Sequence, residues 1–493
     1  MSDVEGMRSI AARGAAITVA SQVLRMVLQL VALVALARLL DPAVFGQMAI
    51  VLVVVGIGET LRELGLSSAA IHAEDLSQKQ HSNLFWINTG AGIVLCGIVY
   101  GSAGLVADFY SDPALVLTLH AVASVFVVNG MASQYRARLA RDLRFTNLAL
   151  AELLSVITGL VAAIVAASLG LGLWALVIQQ VVQAVVILTI AVSSCRWVPS
   201  MPSRCTMGPL LRYGGNLGLT QVINYAARNV DTIILGRIVS APTLGFYNRA
   251  FQLVMLPVTQ INAPATKVAF PLLARLQNDP LRFVRYLRTG QAALVNSVAA
   301  ALLLGVAIAE PAIALALGPA WQPTAPLFQI LALAGIFQTA TYPMYWVFLA
   351  KGLTGSNLRY TLVTKSILVA AIVIGSQWGV RGVALGFAIA SAASWPIGLR
   401  WMSAAAAIPW RAMAVPVLSG LAVYGPACAA GLAVVHLIGA ESVWSLVVGA
   451  VVYAAVVGLS YLAVGPYRRD LQELAALIPD LKRRNRTPVG ASA

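Results

Sequence analysis

The feature that most constrains this chain is a succession of apolar runs, each about as long as a membrane is thick. A helix needs about 20 residues to cross a hydrocarbon core roughly 30 Å thick. Inside that core every backbone polar group must be bonded within the protein, so such runs must be helical. The sequence therefore predicts an all-α polytopic membrane protein with about 14 transmembrane helices. The predicted spans are 14–37, 43–61, 82–107, 114–134, 147–169, 172–194, 213–236, 243–266, 289–309, 325–349, 358–376, 380–399, 412–438 and 442–464.

The charge distribution excludes an ordinary soluble domain and argues against nucleic acid as a partner. Only 10% of the residues are charged, whereas soluble domains carry about a quarter. The net charge is +15, but with a cytoplasmic N-terminus only Arg38, Arg237 and Arg381 of the 33 Lys and Arg lie in outer loops, and four lie within spans. This positive-inside pattern predicts a cytoplasmic (inner) membrane protein with both termini in the cytoplasm.

The beginning of the chain recurs half a chain later, which indicates a duplicated architecture. Shifted by 199 residues without a gap, 13–46 falls on 212–245 with seven identities, including Gly46 on Gly245. Six spans per copy give both copies the same orientation, related by a pseudo-twofold axis along the membrane normal. The predicted divisions are an N-lobe at 1–194, a cytoplasmic linker at 195–208, a C-lobe at 209–403, two added helices at 404–465 and a basic cytoplasmic tail at 466–493, which contacts membrane lipids.

The motifs of ATP-driven pumps and of enzymes are missing from the sequence. No Lys follows a Gly, which removes the phosphate-binding loop GxxxxGK[ST]. The four His and four Cys are dispersed and show neither metal-ligand nor disulfide spacing. We therefore predict no enzyme activity, no cofactor and no metal site.

Polar side chains inside two repeat-related spans form the candidate substrate site. Their spacing of three and four residues places each set on one face of a helix. The two stripes consist of Thr18, Gln22, Arg25 and Gln29 in the first span, and of Gln221, Asn224, Arg228 and Asp231 in the seventh. Glu59 and Arg249 add charges in the second and eighth spans. We expect these four spans to line a cavity between the lobes.

The chemistry of these side chains suits an anionic, hydrogen-bonding cargo. An arginine inside a membrane normally faces water, a partner or a transport pathway, because its insertion costs about 2.5–3.5 kcal/mol. Arginine offers a planar fork for phosphate oxygens, while Gln and Asn suit hydroxyl groups, so diphosphate joined to sugars fits the predicted cavity. Arg25, near the middle of its span, is the strongest candidate.

Several of these residues also have a structural interpretation. Asp231 could neutralise Arg228, and Arg249 could extend toward the outer surface. Glu59 could pair with Arg62. The remaining residues with two interpretations are Glu152 and Lys365, which suit structural pairing, and Tyr225 and Tyr247, which could stack on sugar rings or pack in the ordinary way.

Two segments resemble a known family of membrane proteins. They are VDTIILGRIVSAPTLGFYNRAFQLVMLPVTQINAPATKVAFPLLARLQND at 230–279 and LGPAWQPTAPLFQILAL at 317–333. They are similar to Wzx-type polysaccharide flippases, in particular the colanic-acid exporter branch, within the superfamily that includes lipid II flippases and multidrug and toxin extruders.

The resemblance implies a V-shaped bundle of two six-helix lobes that alternates access and moves undecaprenyl-diphosphate-linked oligosaccharide to the outer leaflet. It carries the family's lumenal arginines onto Arg25, Arg228 and Arg249 by helix and face. Family members often have twelve helices, and the extra pair predicted here resembles the lipid II branch. The transport would be coupled to H⁺ or Na⁺, with Asp231 and Glu59 as candidate ion ligands, and other polysaccharide-assembly proteins are possible partners.

Two other functions compete with this hypothesis. A multidrug extruder of the same superfamily would need acids in its cavity to hold cationic drugs, and the basic excess argues against it. A non-transporting scaffold or a transferase in glycan assembly is the alternative of another class. A transferase or polymerase would usually show a sizeable outer loop or an acidic metal motif, and the sequence has neither.

Overall fold

A computed structural model describes residues 22, 24–63, 77–195, 197–203, 225–439 and 442–484, without the side chains of 263 and 475–484. Within these residues the protein is helical and contains no strand. Ten helical stretches of this described part are long and apolar enough to cross a membrane. One of them, Thr354–Ala406, joins two predicted spans. The predicted all-α, polytopic fold class is confirmed.

The chain divides into two compact units, and the first comprises residues 1–245. Its central helix is α4, which packs against α2, α3, α5 and α6. The helices of this unit are α1 (24–39), α2 (Pro42–Glu63), α3 (Gln78–Tyr110), α4 (Ala114–Arg141), α5 (Phe145–Ser168), α6 (Leu173–Cys195), α7 (Val230–Ile238) and the first residues of α8 (Ala241–Arg275).

The second unit comprises residues 246–493 and is organised around α9. Large side chains from α9 and α11, among them Phe283, Leu287 and Trp346, form the buried core at one end of this unit. After α8, its helices are α9 (Pro280–Ala307), α10 (Ala309–Ala316), α11 (Thr324–Ala350), α12 (Thr354–Gly375), α13 (Gly379–Ala406), α14 (Trp410–Ile438), α15 (Val443–Ala463) and α16 (Gly465–Arg484), with short 3-10 turns at Pro319–Trp321 and Ser376–Trp378.

Several helices extend beyond the apolar runs that predicted them. Helix α3 begins four residues early, because the Ser77 side chain accepts from the backbone amide of Gln80 in a capping box. Helix α9 begins nine residues early, with Asp279 as its cap. Helix α4 continues to Arg141, so Arg136, two residues beyond the predicted span 114–134, lies on a helix. Hydropathy detects the apolar part of a helix and misses its polar ends.

The two glycines at the end of the internal repeat mark a reciprocal helix contact within the first unit. A Cβ added to Gly46 would lie 1.8 Å from the carbonyl oxygen of Ala241. A Cβ added to Gly245 would lie 2.0 Å from the carbonyl oxygen of Pro42. Residues 241 and 245 follow 42 and 46 by the same 199 positions as the repeat. The starts of α2 and α8 therefore meet through equivalent positions, and both positions require glycine.

The described part of the predicted linker is fastened to the start of α3. The side chain of Asn83 donates to the Ser203 carbonyl at 2.6 Å and accepts from its amide at 3.0 Å. The indole of Trp86 donates to the Ser200 carbonyl, and Trp197 is buried. Residues 197–203 thus have no regular secondary structure and are held by side chains of α3, while 204–208 lie outside the described residues.

Candidate functional site

Arg25, the strongest sequence candidate, belongs to a three-residue charged cluster in the first unit. Its Nη1 lies 3.1 Å from Oε2 of Glu152, and Nη2 of Arg136 lies 3.2 Å from Oε1 of the same carboxylate. Helices α1, α5 and α4 each supply one member. The three side chains are between 28% and 45% exposed, so water reaches the cluster. We call this the Arg25–Glu152–Arg136 cluster.

A second charged group in the same unit surrounds Glu59 on α2. Its Oε2 accepts from the guanidinium of Arg62 at 2.8 and 2.9 Å, and its Oε1 accepts from the Asn129 amide at 3.0 Å. Arg62 is buried, with 6% of its surface exposed. The structure therefore contains the Glu59–Arg62 pair that the sequence suggested, with both carboxylate oxygens already occupied.

The polar stripe of the first predicted span is only partly within the described residues. Gln22 and Gln29 are exposed, and Arg25, between them, is half-buried. Thr18 lies outside the described residues, as do Gln221 and Asn224 of the repeat-related stripe. Sugar contacts by these amides stay a prediction.

The remaining members of the seventh-span stripe lie around α7. Tyr225 packs on α2, where its hydroxyl donates to the Leu52 carbonyl at 3.2 Å and lies against Gly56. Arg228 is exposed, whereas Asp231 is buried and accepts from the Thr232 amide. The hydrogen bond gives Tyr225 a packing role on α2, in addition to any contact with a sugar.

In the second unit the predicted residues are embedded in protein. Nη1 of Arg249 lies 2.6 Å from the side-chain oxygen of Gln252, and the guanidinium stands over the Trp321 ring at 5.9 Å. Arg249 therefore points into the unit and does not extend to the outer surface. Tyr247 is only 1% exposed and stacks on Phe251, so its ring belongs to the core and offers no face to a sugar. Lys365 is half-buried.

The tail helix α16 is anchored by buried polar groups. The carboxylate of Asp470 accepts from the guanidinium of Arg288 on α9, and the hydroxyl groups of Tyr467 and Tyr424 lie 2.9 Å apart. Burial raises the pKa of Asp470 above its ordinary value, and the Arg288 guanidinium offsets only part of that effect. The tail predicted to lie on lipid headgroups is thus also fastened to its own unit.

The sequence analysis missed two members of the charged cluster. Arg136 lies just beyond the apolar run of its span. Glu152, which the sequence assigns to structural pairing, is the eighth residue of the apolar helix α5 and pairs with both arginines, but the sequence does not name those partners. An isolated carboxylate in an apolar run needs a partner. The rarity of charged residues in the run around Glu152 was therefore the sequence signal that pointed to a charged cluster.

The family model of the polysaccharide biosynthesis proteins matches residues 35–326, more than half of the chain. This chain belongs to the polysaccharide biosynthesis protein family. The Wzx resemblance seen in the sequence is confirmed by this match and by the relatives below.

Two relatives align with most of the chain. The lipopolysaccharide biosynthesis protein WzxC of Escherichia coli is 29% identical over 367 residues, covering 73% of this chain and 74% of that protein. The teichuronic acid biosynthesis protein TuaB of Bacillus subtilis is 31% identical over 356 residues, covering 69% of this chain and 71% of that protein. The two relatives are thus named for the biosynthesis of two different polymers.

Solved transporter structures share the fold. The lipid II flippase MurJ in an inward closed conformation superposes with a TM-score of 0.67 at 14% identity, covering 92% of this chain and 99% of that one. An inward-facing multidrug resistance MATE transporter superposes with a TM-score of 0.60 at 14% identity, covering 77% and 94%. At this identity the likeness shows the fold alone, which is the multi-pass helical fold that these structures share.

Proposed function

We propose that this protein is an alternating-access flippase of the cytoplasmic membrane that moves undecaprenyl-diphosphate-linked oligosaccharide from the inner to the outer leaflet. The observation that carries the proposal is Arg25, a guanidinium on an apolar helix of a polysaccharide biosynthesis protein, half-exposed and paired among the described residues with a carboxylate that a phosphate can replace. Such a group offers two parallel donors to a phosphate. The transporter fold and the relatives' roles in polysaccharide synthesis support the same conclusion.

In this mechanism Arg25 and Arg228 clamp the diphosphate, whereas Arg249, which the sequence also suggests, is buried on Gln252 and Trp321 within the second unit. Gln22, Gln29, Gln221 and Asn224 contact the sugars, while the lipid tail stays in the bilayer. Both termini face the cytoplasm, where the substrate is made. A proton or Na⁺ gradient resets the empty carrier through Asp231 or Glu59.

The test is flipping by the purified protein in vesicles that contain a fluorescent undecaprenyl-diphosphate oligosaccharide. A membrane-impermeant quencher removes the fluorescence of labelled lipid in the outer leaflet, so the quenched fraction measures transport. We expect this fraction to rise when the unmodified protein is present, because the protein brings inner-leaflet lipid to the outer leaflet. Arg25→Ala should abolish flipping while the protein remains folded and inserted, because the diphosphate loses its fork. Arg381→Ala, which removes an exposed arginine at the start of α13, is the matched control and should flip normally. Normal flipping by Arg25→Ala contradicts the clamp.

The MATE-like fold makes drug export the rival function. A cationic drug needs carboxylates in its site, yet Glu152 and Glu59 are each already paired with an arginine. Deleting the gene should leave drug sensitivity unchanged and reduce a surface polysaccharide. Hypersensitivity to several cationic drugs would favour the rival.

A further inference from the structure

The Arg25–Glu152–Arg136 cluster is an anion site that already contains an anion supplied by the chain itself. We propose that Glu152 occupies the place of the substrate's diphosphate in the empty carrier, and that the diphosphate displaces it to bind Arg25 and Arg136 together. This inference rests on the proposed function and extends it, because it adds Arg136 to the substrate site and gives Glu152 a positioning role.

The geometry of the bridge supports this exchange. The two oxygens of the Glu152 carboxylate each contact a different guanidinium, at 3.1 and 3.2 Å. A diphosphate has oxygens on two phosphorus atoms and can bridge two guanidinium groups in the same way. Arg136 has no other hydrogen bond or ion pair among the described residues, so its guanidinium is positioned by the carboxylate that it shares.

The charges of the cluster favour a replaceable occupant. Two guanidinium groups without a counter-ion would be costly among apolar helices, and Glu152 reduces the net charge of the cluster to +1. A diphosphate diester carries about two negative charges and neutralises both arginines. Half-exposed ion pairs contribute only about 0.2–1 kcal/mol each, so a bidentate phosphate can compete with them.

The exchange also has a mechanical effect within the first unit. Glu152 ties Arg25 on α1 to α5, and the same carboxylate ties Arg136 on α4. When the diphosphate takes both arginines, α1 loses its ionic link to α5. Substrate occupancy is thereby transmitted to the position of α1.

The decisive experiment measures binding of farnesyl diphosphate to the full-length protein in lipid nanodiscs by calorimetry. Glu152→Gln removes the competing charge at constant shape, and we expect its Kd to fall at least fivefold below that of the unmodified protein. Arg136→Gln and Arg25→Gln should each raise the Kd at least tenfold. Arg144→Gln is the matched control, because Arg144 donates to the Ser194 carbonyl outside the cluster, and its Kd should not change.

A purely structural bridge gives a different result, namely unchanged or weaker binding by folded Glu152→Gln, which overturns the inference. If that variant does not fold, Glu152→Asp replaces it. Aspartate is one methylene shorter and cannot reach both arginines, so tighter binding is again expected and its absence is decisive. Farnesol lacks the diphosphate, and a gain in its affinity as well would contradict the exchange.

Failure of this inference is distinguishable from failure of the proposed function. If the unmodified protein flips the lipid-linked oligosaccharide but Glu152→Gln shows no gain in affinity, only the exchange is wrong. If the unmodified protein neither binds farnesyl diphosphate nor flips the labelled lipid, the proposed function itself is wrong.

Discussion

Glu152 and Glu59 show how the first unit holds arginine among apolar helices. Each carboxylate serves two groups, with Arg25 and Arg136 on one and Arg62 and Asn129 on the other. The first group is half-exposed, while Arg62 in the second is buried. Because water screens the half-exposed Arg25 and Arg136 much more than the buried Arg62, the first group is suited to exchange and the second to stability.

Glu59→Gln should therefore destabilise the protein. The change leaves the buried Arg62 guanidinium without its counter-ion, and breaking a buried pair in this way costs about 3 kcal/mol. Fluorescence-detected size-exclusion after heating should show a lower melting temperature. Glu63→Gln, one turn along on the exposed surface of α2, is the control and should melt normally. Equal melting temperatures of the two variants would show that Glu59 is not needed for stability and would favour its role as an ion ligand.

For single residues, the sequence predicted which charged side chains matter better than it predicted the residues that they contact. Arg25 stood out because charge is rare in an apolar run, and the Glu59–Arg62 pair followed from its spacing of three residues. The contact between Arg25 and Glu152 joins residues 127 positions apart, which periodicity along one helix does not report. The sequence leaves both interpretations of Tyr247 open for the same reason, since its burial depends on neighbours from other helices.

Among the helices, α16 is exceptional because it is amphipathic and yet partly buried. Asp470 and Tyr467 face their own unit, where they contact Arg288 on α9 and Tyr424 on α14. Both side chains on α16 are almost fully buried. The start of the tail helix is therefore part of the folded second unit and continues its core.

Breaking the Arg288–Asp470 pair should release the start of α16. Arg288→Ala and Asp470→Ala should each increase hydrogen exchange over 465–474, because the first leaves the buried Asp470 without its partner and the second leaves the partly buried Arg288 without its partner. The exchanged pair Arg288→Asp/Asp470→Arg should restore protection. Arg285→Ala, an exposed neighbour on α9, should leave exchange unchanged. Protection that survives both single substitutions would show that the tyrosine pair alone anchors the helix.

The apolar centres of the helices were predictable from the sequence, but the residues at which the helices begin and end were not. The apolar runs follow from the thickness of the bilayer, so every predicted span overlaps a helix in the described part of the chain. The ends depend on caps such as Ser77 and Asp279, which lie in polar sequence. Where a helix continues into polar sequence, as α4 does at its C-terminal end, hydropathy gives no signal for the polar part.

For the whole molecule, the internal repeat was the most informative part of the sequence. The 199-residue shift predicted a duplication from a few polar identities. In the structure the same shift relates Pro42 to Ala241 and Gly46 to Gly245, and each glycine lies against the other copy's backbone. The limits of the predicted lobes, linker and added helices stay predictions.

Gly46→Ala should impair the protein more than an ordinary helical substitution. The added methyl group would meet the Ala241 carbonyl at 1.8 Å, against backbone that has no rotamer to relieve the clash. We expect a loss of about 1–3 kcal/mol in stability and reduced flipping in the vesicle assay. Gly97→Ala on α3, where a Cβ meets nothing within 4 Å, should behave normally. Equal stability and equal flipping of the two variants would show that the close contact between the starts of α2 and α8 is not required.

The reciprocal glycine contact is self-complementary. A contact in which residue 42 of one copy meets residue 46 of the other, and the reverse, is isologous, the kind that a homodimer with C2 symmetry makes. Each helix start therefore both presents a carbonyl and leaves space for one, and a side chain at either glycine would close one half of the contact. Pro42 and Ala241 differ in side chain, because each contributes only its carbonyl group.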